Sequence, residues 1–212
     1  MKKKLVVFGG GPHCKVVLDL LLHSDEYEVV GVVDKDGNAP FGVPVIEMED
    51  DMEAVKAMGV GCVFVAVGSN RVRKKLGTAA IAAGLDFVTI IAPDAVVSEF
   101  SEIGKGVLIN HGAVVNAGAV IGDGTILNTC SSVDHDCRVG GYCHIAPGVH
   151  ISGSTSIGEA TFLGTGSSVI DGINIGREVM VGAGAAVVKD LPDCCTAVGV
   201  PAKVIKFKEG HK

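Results

Sequence analysis

The residues best suited to proton chemistry are His135 and the two acids beside it, Asp134 and Asp136, in the stretch Asn128-Thr129-Cys130-Ser131-Ser132-Val133-Asp134-His135-Asp136. A carboxylate near an imidazole favours the protonated ring, which makes the neutral ring a stronger base. Such a ring can take a proton from an amine or a hydroxyl. Neighbouring strand residues point to opposite faces, so Asp136 reaches His135 only if the chain bends between them. The competing reading is a solvated surface histidine among solubilising acids.

A second group of candidates lies near the start. Leu5-Val6-Val7-Phe8 reads as a buried strand, and Gly9-Gly10-Gly11-Pro12-His13 as the turn into a helix from Cys14 to Leu22. A glycine-rich turn before a helix offers backbone N–H groups to a phosphate. Asp34 ends a second strand, where it could accept from a ribose hydroxyl or a base N–H. Gly68-Ser69-Asn70 ends a third. Gly9 and Gly11 match a dinucleotide fingerprint only in part, because Cys14 replaces its third glycine; a nucleotide is expected here, and NAD is not.

Two kinds of element must position these residues. Up to about residue 92 the pattern is strand, turn, helix: strands at 28–33, 62–67 and 87–91, helices at 14–22, 48–58 and 71–83, and an extended connector at 41–45. That alternation predicts a small Rossmann-like parallel sheet, an α/β domain binding ligands at the carboxyl ends of its strands. From Val97 to Val187 every sixth residue is aliphatic without a slip, and the residue two before each is mostly small. Neither helix nor strand has that period. It predicts an all-β parallel β-helix of hexapeptide repeats, with about eighteen residues per three-sided coil. Val115, Val133, Ile151, Val169 and Val187 should then stack along one edge. Gly and Asn just after the aliphatic positions are expected to serve the corners. The predicted division is 1–92, 93–205 and a loose polar tail, 206–212.

Composition narrows the function. The chain has 212 residues and a net charge of −6, with no basic stripe, so nucleic acid is not the expected partner. The lysine-rich start leads into a short strand rather than a signal peptide or a membrane span. Seven scattered cysteines without a CxxC pair point to a reducing cytoplasm, and Cys137 and Cys143 fall on inward, core-filling positions. No metal is expected: His111, His135, His144 and His150 do not fall one coil apart, and HxxxxH spacing does not occur. No histidine is placed to activate Cys130 or Cys137.

The Gly-Gly-Gly-Pro-His turn, the Val-Gly-Ser-Asn-x-x-Arg-Lys-Lys run, the Asn-Thr-x-Ser-Ser-Val-x-His-Asp segment and the Val-Gly-Val-Pro-Ala-Lys close together resemble the PglD/NeuD-like sugar acetyltransferases, over essentially the whole chain. The resemblance implies a left-handed β-helix, acetyl-CoA as donor, a nucleotide-linked amino sugar as acceptor and a homotrimer with active sites between neighbouring prisms. It implies His135 as catalytic base, supported by Asp136 where relatives often carry Glu, and Asn128 as a sugar contact. His144 and Gly153 would meet the acetyl thioester. Thr165, Ala183 and the close from Gly199 through Pro201 to Lys203 would meet the CoA arm. Gly11, Pro12, His13, Asp34, Lys35 and Gly68 would hold the nucleotide, although Pro12 removes a backbone donor. The implied acceptor is a UDP-4-amino-4,6-dideoxy sugar of bacillosamine type. Alternatives are a GDP-perosamine-type sugar, O-acetylation of sialic acid or another sugar, a non-catalytic nucleotide-binding scaffold, and a zinc hydratase on the same scaffold.

Overall fold

The computed structural model describes residues 1–46, 51–208 and 210. It divides into two compact units, Met1–Ile90 and Ile91–Lys212. In the first, β1 (Lys3–Phe8), β2 (Tyr27–Val33), β3 (Val45–Ile46), β4 (Cys62–Val65) and β5 (Asp86–Phe87) form one parallel sheet in the order β3-β2-β1-β4-β5. Leu5, Val6, Val7 and Phe8 are fully buried, as an apolar run must be in a parallel strand covered on both faces. Helix α1 (Pro12–Leu22) begins with Pro, whose fixed φ suits a first turn, and buries Cys14, Val17, Leu18 and Leu21. Helix α2 (Met52–Ala57) is capped by Asp51, whose Oδ1 accepts from the Glu53 and Ala54 N–H groups at 3.0 and 3.1 Å. Helix α3 runs from Asn70 to Ala82. The strand order reverses between β1 and β4, which opens a crevice at their carboxyl ends.

Three expectations for this unit need revision. The helix expected over 48–58 starts at Met52; Met48, Glu49 and Asp50 lie outside the described residues. The expected extended connector holds a tight turn, Pro40–Gly42, with Phe41 at φ 59°. The strand expected over 87–91 divides into β5 and a separate pair, Ile90–Ile91; the Val88 N–H still donates to the Val63 carbonyl of β4 at 3.1 Å, and the pairing with β4 ends there.

The second unit is a parallel β-helix. Each residue pairs with the one a full coil further on, as Val115 does with Val133, Val133 with Ile151, Ile151 with Val169 and Val169 with Val187. Two-residue strands form three faces. Face I carries Leu108–Ile109, Ile126–Leu127, His144–Ile145, Phe162–Leu163 and Met180–Val181. Face II carries the Ser132–Val133 and His150–Ile151 strands, and face III Arg138–Val139 and Ser156–Ile157. The aliphatic column fills the interior, with Cys137 and Cys143 buried among it as expected. Their thiols donate to the Ser152 and Gly158 carbonyls at 3.2 and 3.1 Å. All seven cysteines are free.

The corners differ from the sequence expectation. The left-handed residue is the third after each aliphatic position from Ile103 to Val181, not the first. Gly106, Gly112, Gly118, Gly124, Gly148 and their equivalents have φ between 54° and 74°, and Cys130, Asp136 and Tyr142 share that conformation. Glycine directly after the aliphatic residue answers a different need. A Cβ at Gly122 would lie 2.5 Å from the Gly141 nitrogen, and one at Gly158 would lie 2.4 Å from that of Arg177. Glycine is required at the corner between faces III and I because successive coils touch there.

The winding also continues past Val187. Leu191 bridges to Ile175, Ala197 pairs with Val181, and Lys203–Phe207 returns antiparallel to Cys195–Val198. Lys206 and Phe207 therefore belong to a strand rather than to a loose tail, and the Lys208 Nζ donates to Glu178 Oε2 at 2.8 Å. Glu209, His211 and Lys212 lie outside the described residues.

Candidate active site

His135 occupies the corner between faces II and III. Asp136 takes the left-handed conformation at φ 58°, and this is the bend that brings its Oδ2 to 2.9 Å from His135 Nδ1. Asp134 holds the other side: its Oδ1 accepts from the His135 backbone N–H at 2.7 Å and from Asn116 Nδ2 at 2.8 Å. The hydrogen bond to Asp136 raises the His135 pKa above 6.5; slight desolvation opposes it, and the charges of Asp134 and Asp136 add to it. The ring lies directly over Gly153, where a Cβ would stand 2.6 Å from Nε2. Gly153 thus leaves the space that the imidazole fills. Its Nδ1 is engaged by Asp136 and its side chain is 60% exposed, so Nε2 is the ring nitrogen that His135 offers to a substrate.

A second cluster follows face I. Asn128 Nδ2 lies 3.2 Å from His144 Nε2, and the His144 ring meets Phe162 edge-on at 5.2 Å between centroids. Thr165 and Ala183 stand on the same corner column, exposed, with the Gly184 N–H donating to the Thr165 carbonyl at 2.9 Å. Above them Gly199 accepts from the Ala186 N–H at 3.1 Å, and Pro201 and Lys203 are exposed. Within one chain, then, Asn128, His144, Thr165 and Ala183 gather along one edge, and His135, Asp136 and Gly153 along another.

In the first unit a cavity of about 840 Å³ opens at the carboxyl ends of β1, β2 and β4, lined by Gly9, Asp34, Lys35, Val67 and Lys75 among others. Gly11, Pro12, His13 and Gly68 do not line it. Asp34 is committed to the fold: its Oδ2 accepts from the Gly10 N–H at 2.7 Å, and its Oδ1 from Asp36 and Asn38 N–H groups at 3.0 and 3.2 Å. Partial burial pulls its pKa up, but these donors outweigh burial and hold it below 3.8. Gly10 must be glycine, since a Cβ would fall 1.9 Å from the Asn38 oxygen, whereas nothing lies within 4 Å of one at Gly11. Burial, helped by the Arg73 charge, pushes His13 down to about 4. Burial and the Asp34 charge push the Cys14 thiol up to about 12, leaving it inert.

Sequence reasoning gave no role to three residues that organise these sites. Arg73 is fully buried and ties the β4–α3 turn together, donating to the Val67 and Gly68 carbonyls at 2.9 and 3.2 Å and to Asn70 Oδ1 at 2.8 Å. Asn116 braces Asp134, and the buried Asn110 contacts Asn128. Their signal was an asparagine, one coil earlier, beneath each candidate residue. Among the described residues no group of three or more His, Cys, Asp or Glu could hold a metal ion. None of the described helices is long and apolar enough to cross a membrane.

The PglD N-terminal domain model matches residues 4–79. A mutant of perosamine N-acetyltransferase from Caulobacter crescentus, solved in complex with CoA and GDP-perosamine, is 44% identical, with a TM-score of 0.92 over 96% of this chain and 97% of that one. The acetyltransferase domain of PglB from Neisseria gonorrhoeae, in complex with acetyl coenzyme A, is 38% identical, with a TM-score of 0.90 over 97% and 100%. Among curated proteins, UDP-N-acetylbacillosamine N-acetyltransferase of Bacillus subtilis is 34% identical over 113 residues, which is 50% of this chain and 51% of that protein. A serine acetyltransferase of Bacillus licheniformis matches over 41 residues, 19% of each. The chain therefore spans about half, or less, of the length of these curated relatives. The hexapeptide prism and the full-length likeness to these solved enzymes define the class, an acetyltransferase on a left-handed β-helix. The chain belongs to the PglD/NeuD-like sugar acetyltransferase family.

Proposed function

We propose that the protein transfers the acetyl group of acetyl-CoA to the amino group of a nucleotide-linked amino sugar. The observation that carries this reading is the exposed His135–Asp136 pair, held from behind by Asp134. The amine attacks the thioester carbonyl, and His135 Nε2 takes the proton from the nitrogen as the carbon–nitrogen bond forms. The carbon–sulfur bond then breaks and CoA leaves. No covalent enzyme intermediate is needed once amine and thioester are aligned. His144 and Gly153 contact the acetyl thioester, Asn128 contacts the sugar, and Thr165, Ala183, Pro201 and Lys203 meet the CoA arm. The nucleotide is held at the strand ends of the first unit, in the cavity lined by Gly9, Asp34 and Lys35; Asp34 Oδ1 is taken up by Asp36 and Asn38, and Oδ2, which holds Gly10, has a lone pair for a ligand donor. The enzyme works in the cytoplasm as a homotrimer, in which the His135 edge of one prism meets the Asn128 edge of its neighbour.

The acceptor expected from sequence is a UDP-4-amino-4,6-dideoxy sugar. A GDP-perosamine-type acceptor is the second reading, favoured by 44% identity across 96% of the chain to an enzyme crystallised with GDP-perosamine. Release of free thiol from acetyl-CoA, measured against UDP- and GDP-linked amino sugars and sialic acid, tests both. Turnover with one nucleotide-linked amino sugar and none with sialic acid is expected; turnover with sialic acid alone would replace N- by O-acetylation.

Asp136→Asn gives a further expected result, since Asn tolerates the left-handed corner. The neutral His135 ring is the active base, so kcat/KM rises with pH through a midpoint above 6.5. Without the carboxylate the midpoint moves down toward that ordinary value, and the plateau falls by about tenfold as the ring becomes a weaker, less oriented base. An unchanged profile would show that Asp136 does not tune His135.

A further inference from the structure

The Asn128–His144 pair sits on top of a hydrogen-bonded ladder whose lowest asparagine is buried. Asn110 is 1% exposed. Its Oδ1 accepts from the His111 backbone N–H at 2.8 Å, so its Nδ2 is the group facing the next coil, where it donates to Asn128 Oδ1 at 3.1 Å and to Thr129 Oγ1 at 3.0 Å. Asn128 repeats the arrangement: its Oδ1 accepts from the Thr129 N–H at 2.8 Å, which leaves Nδ2 aimed at His144 Nε2, 3.2 Å away. Both amide orientations are set by backbone N–H groups, which cannot reverse their role. The His111 ring anchors the lower end through Asp94, with Nδ1 and Oδ1 2.6 Å apart.

We infer that Asn110 is a positioning residue that acts through Asn128 to fix the tautomer of His144. The Asn128 amide donates to Nε2, so Nε2 is the acceptor and the neutral ring carries its proton on Nδ1. Asn110 adds a side-chain donor to Asn128 Oδ1 beside the Thr129 N–H and, at 3.4 Å, the Thr129 hydroxyl, and so strengthens the hold on that amide's orientation. An asparagine also reaches the next coil at the corner between faces II and III, where Asn116 donates to Asp134, but only on this edge does the chain of amides end on an imidazole; at the corner between faces III and I the equivalent residues are Gly104, Gly122, Gly140, Gly158 and Gly176. For activity, the inference rests on the proposed role of His144; the tautomer can be read without it.

Asn110→Asp keeps the shape and the acceptor for the His111 N–H but sets a carboxylate oxygen against Asn128 Oδ1. The Asn128 amide should then swing away from His144. Nitrogen-15 spectra of the imidazoles are expected to show a single Nδ1–H tautomer for His144 in the wild type and a mixture in Asn110→Asp. The kcat of the variant should fall by about 10–100-fold, while KM for the nucleotide sugar rises only as far as the displaced Asn128 amide contributes to sugar binding. Asn110→Ala removes the donor without adding charge and keeps the test open if the aspartate variant does not fold. A folded variant with wild-type tautomer and wild-type kcat would overturn the inference. Full activity in Asn128→Ala and His144→Ala would instead overturn the proposed role of the pair in catalysis while leaving the tautomer result standing.

Discussion

Replacing His135 with Ala lowers kcat by about 10²–10⁴-fold and leaves CoA affinity at the wild-type value. The size follows from what one positioned base contributes to a proton-transfer step. The separation of effects follows from geometry. His135 rests on the Gly153 backbone and touches Asp136 and Asp134, all on one edge of the prism. The residues assigned to the CoA arm, Thr165 and Ala183 with the Pro201–Lys203 close, belong to the other. The ring is exposed and makes no core contact, so the variant should fold and melt as the parent does. Steady-state kinetics with CoA binding by calorimetry measure both halves. Near-normal kcat in the variant would remove His135 from the base role.

Acidification from about pH 6.5 to about 4 destabilises the first unit by about 2–3 kcal/mol through His13 alone. Burial and the Arg73 charge hold the folded His13 near 4, whereas the unfolded residue titrates near 6.5. Between those values the unfolded chain binds the proton and the folded one does not. The contribution is therefore fully present above 6.5, declines as pH falls through the window, and levels off below 4. Asp34 acts in a lower window: its folded pKa is depressed, so its contribution is lost as pH falls below 3.8. The helices of the described residues all belong to the first unit, so urea titrations followed by helical circular dichroism report on it. His13→Gln should flatten the slope between pH 6.5 and 4, and an unchanged slope would assign it elsewhere.

The β-helix was readable because its core repeats: Val115, Val133, Ile151, Val169 and Val187 had to stack once the period was six, and they do. The corners were less readable. A left-handed residue can be Gly, Cys130, Asp136 or Tyr142 when the coils above and below impose the turn, so residue type alone misplaced it by two positions. That same conformation decides whether Asp136 reaches His135, which no residue pattern showed. Asn110 and Asn116 looked like turn fillers in a linear reading; only stacking by whole coils puts their amides under Asn128 and Asp134. Arg73 stood in a recognised run, but its role depends on the Val67 and Gly68 carbonyls, which the fold alone brings to it. Asp34 was read as a ligand acceptor and turns out also to pin Gly10 and Asn38.

The most direct test is to find where the acetyl group lands when the protein is given acetyl-CoA and a nucleotide-linked 4-amino sugar, using proton and carbon spectra of the isolated product. The account predicts one new amide on the sugar nitrogen, formed in equal amount with free CoA and lost with His135→Ala. An ester on a sugar oxygen, or no acetylated product from either the UDP- or the GDP-linked amino sugar, would contradict it.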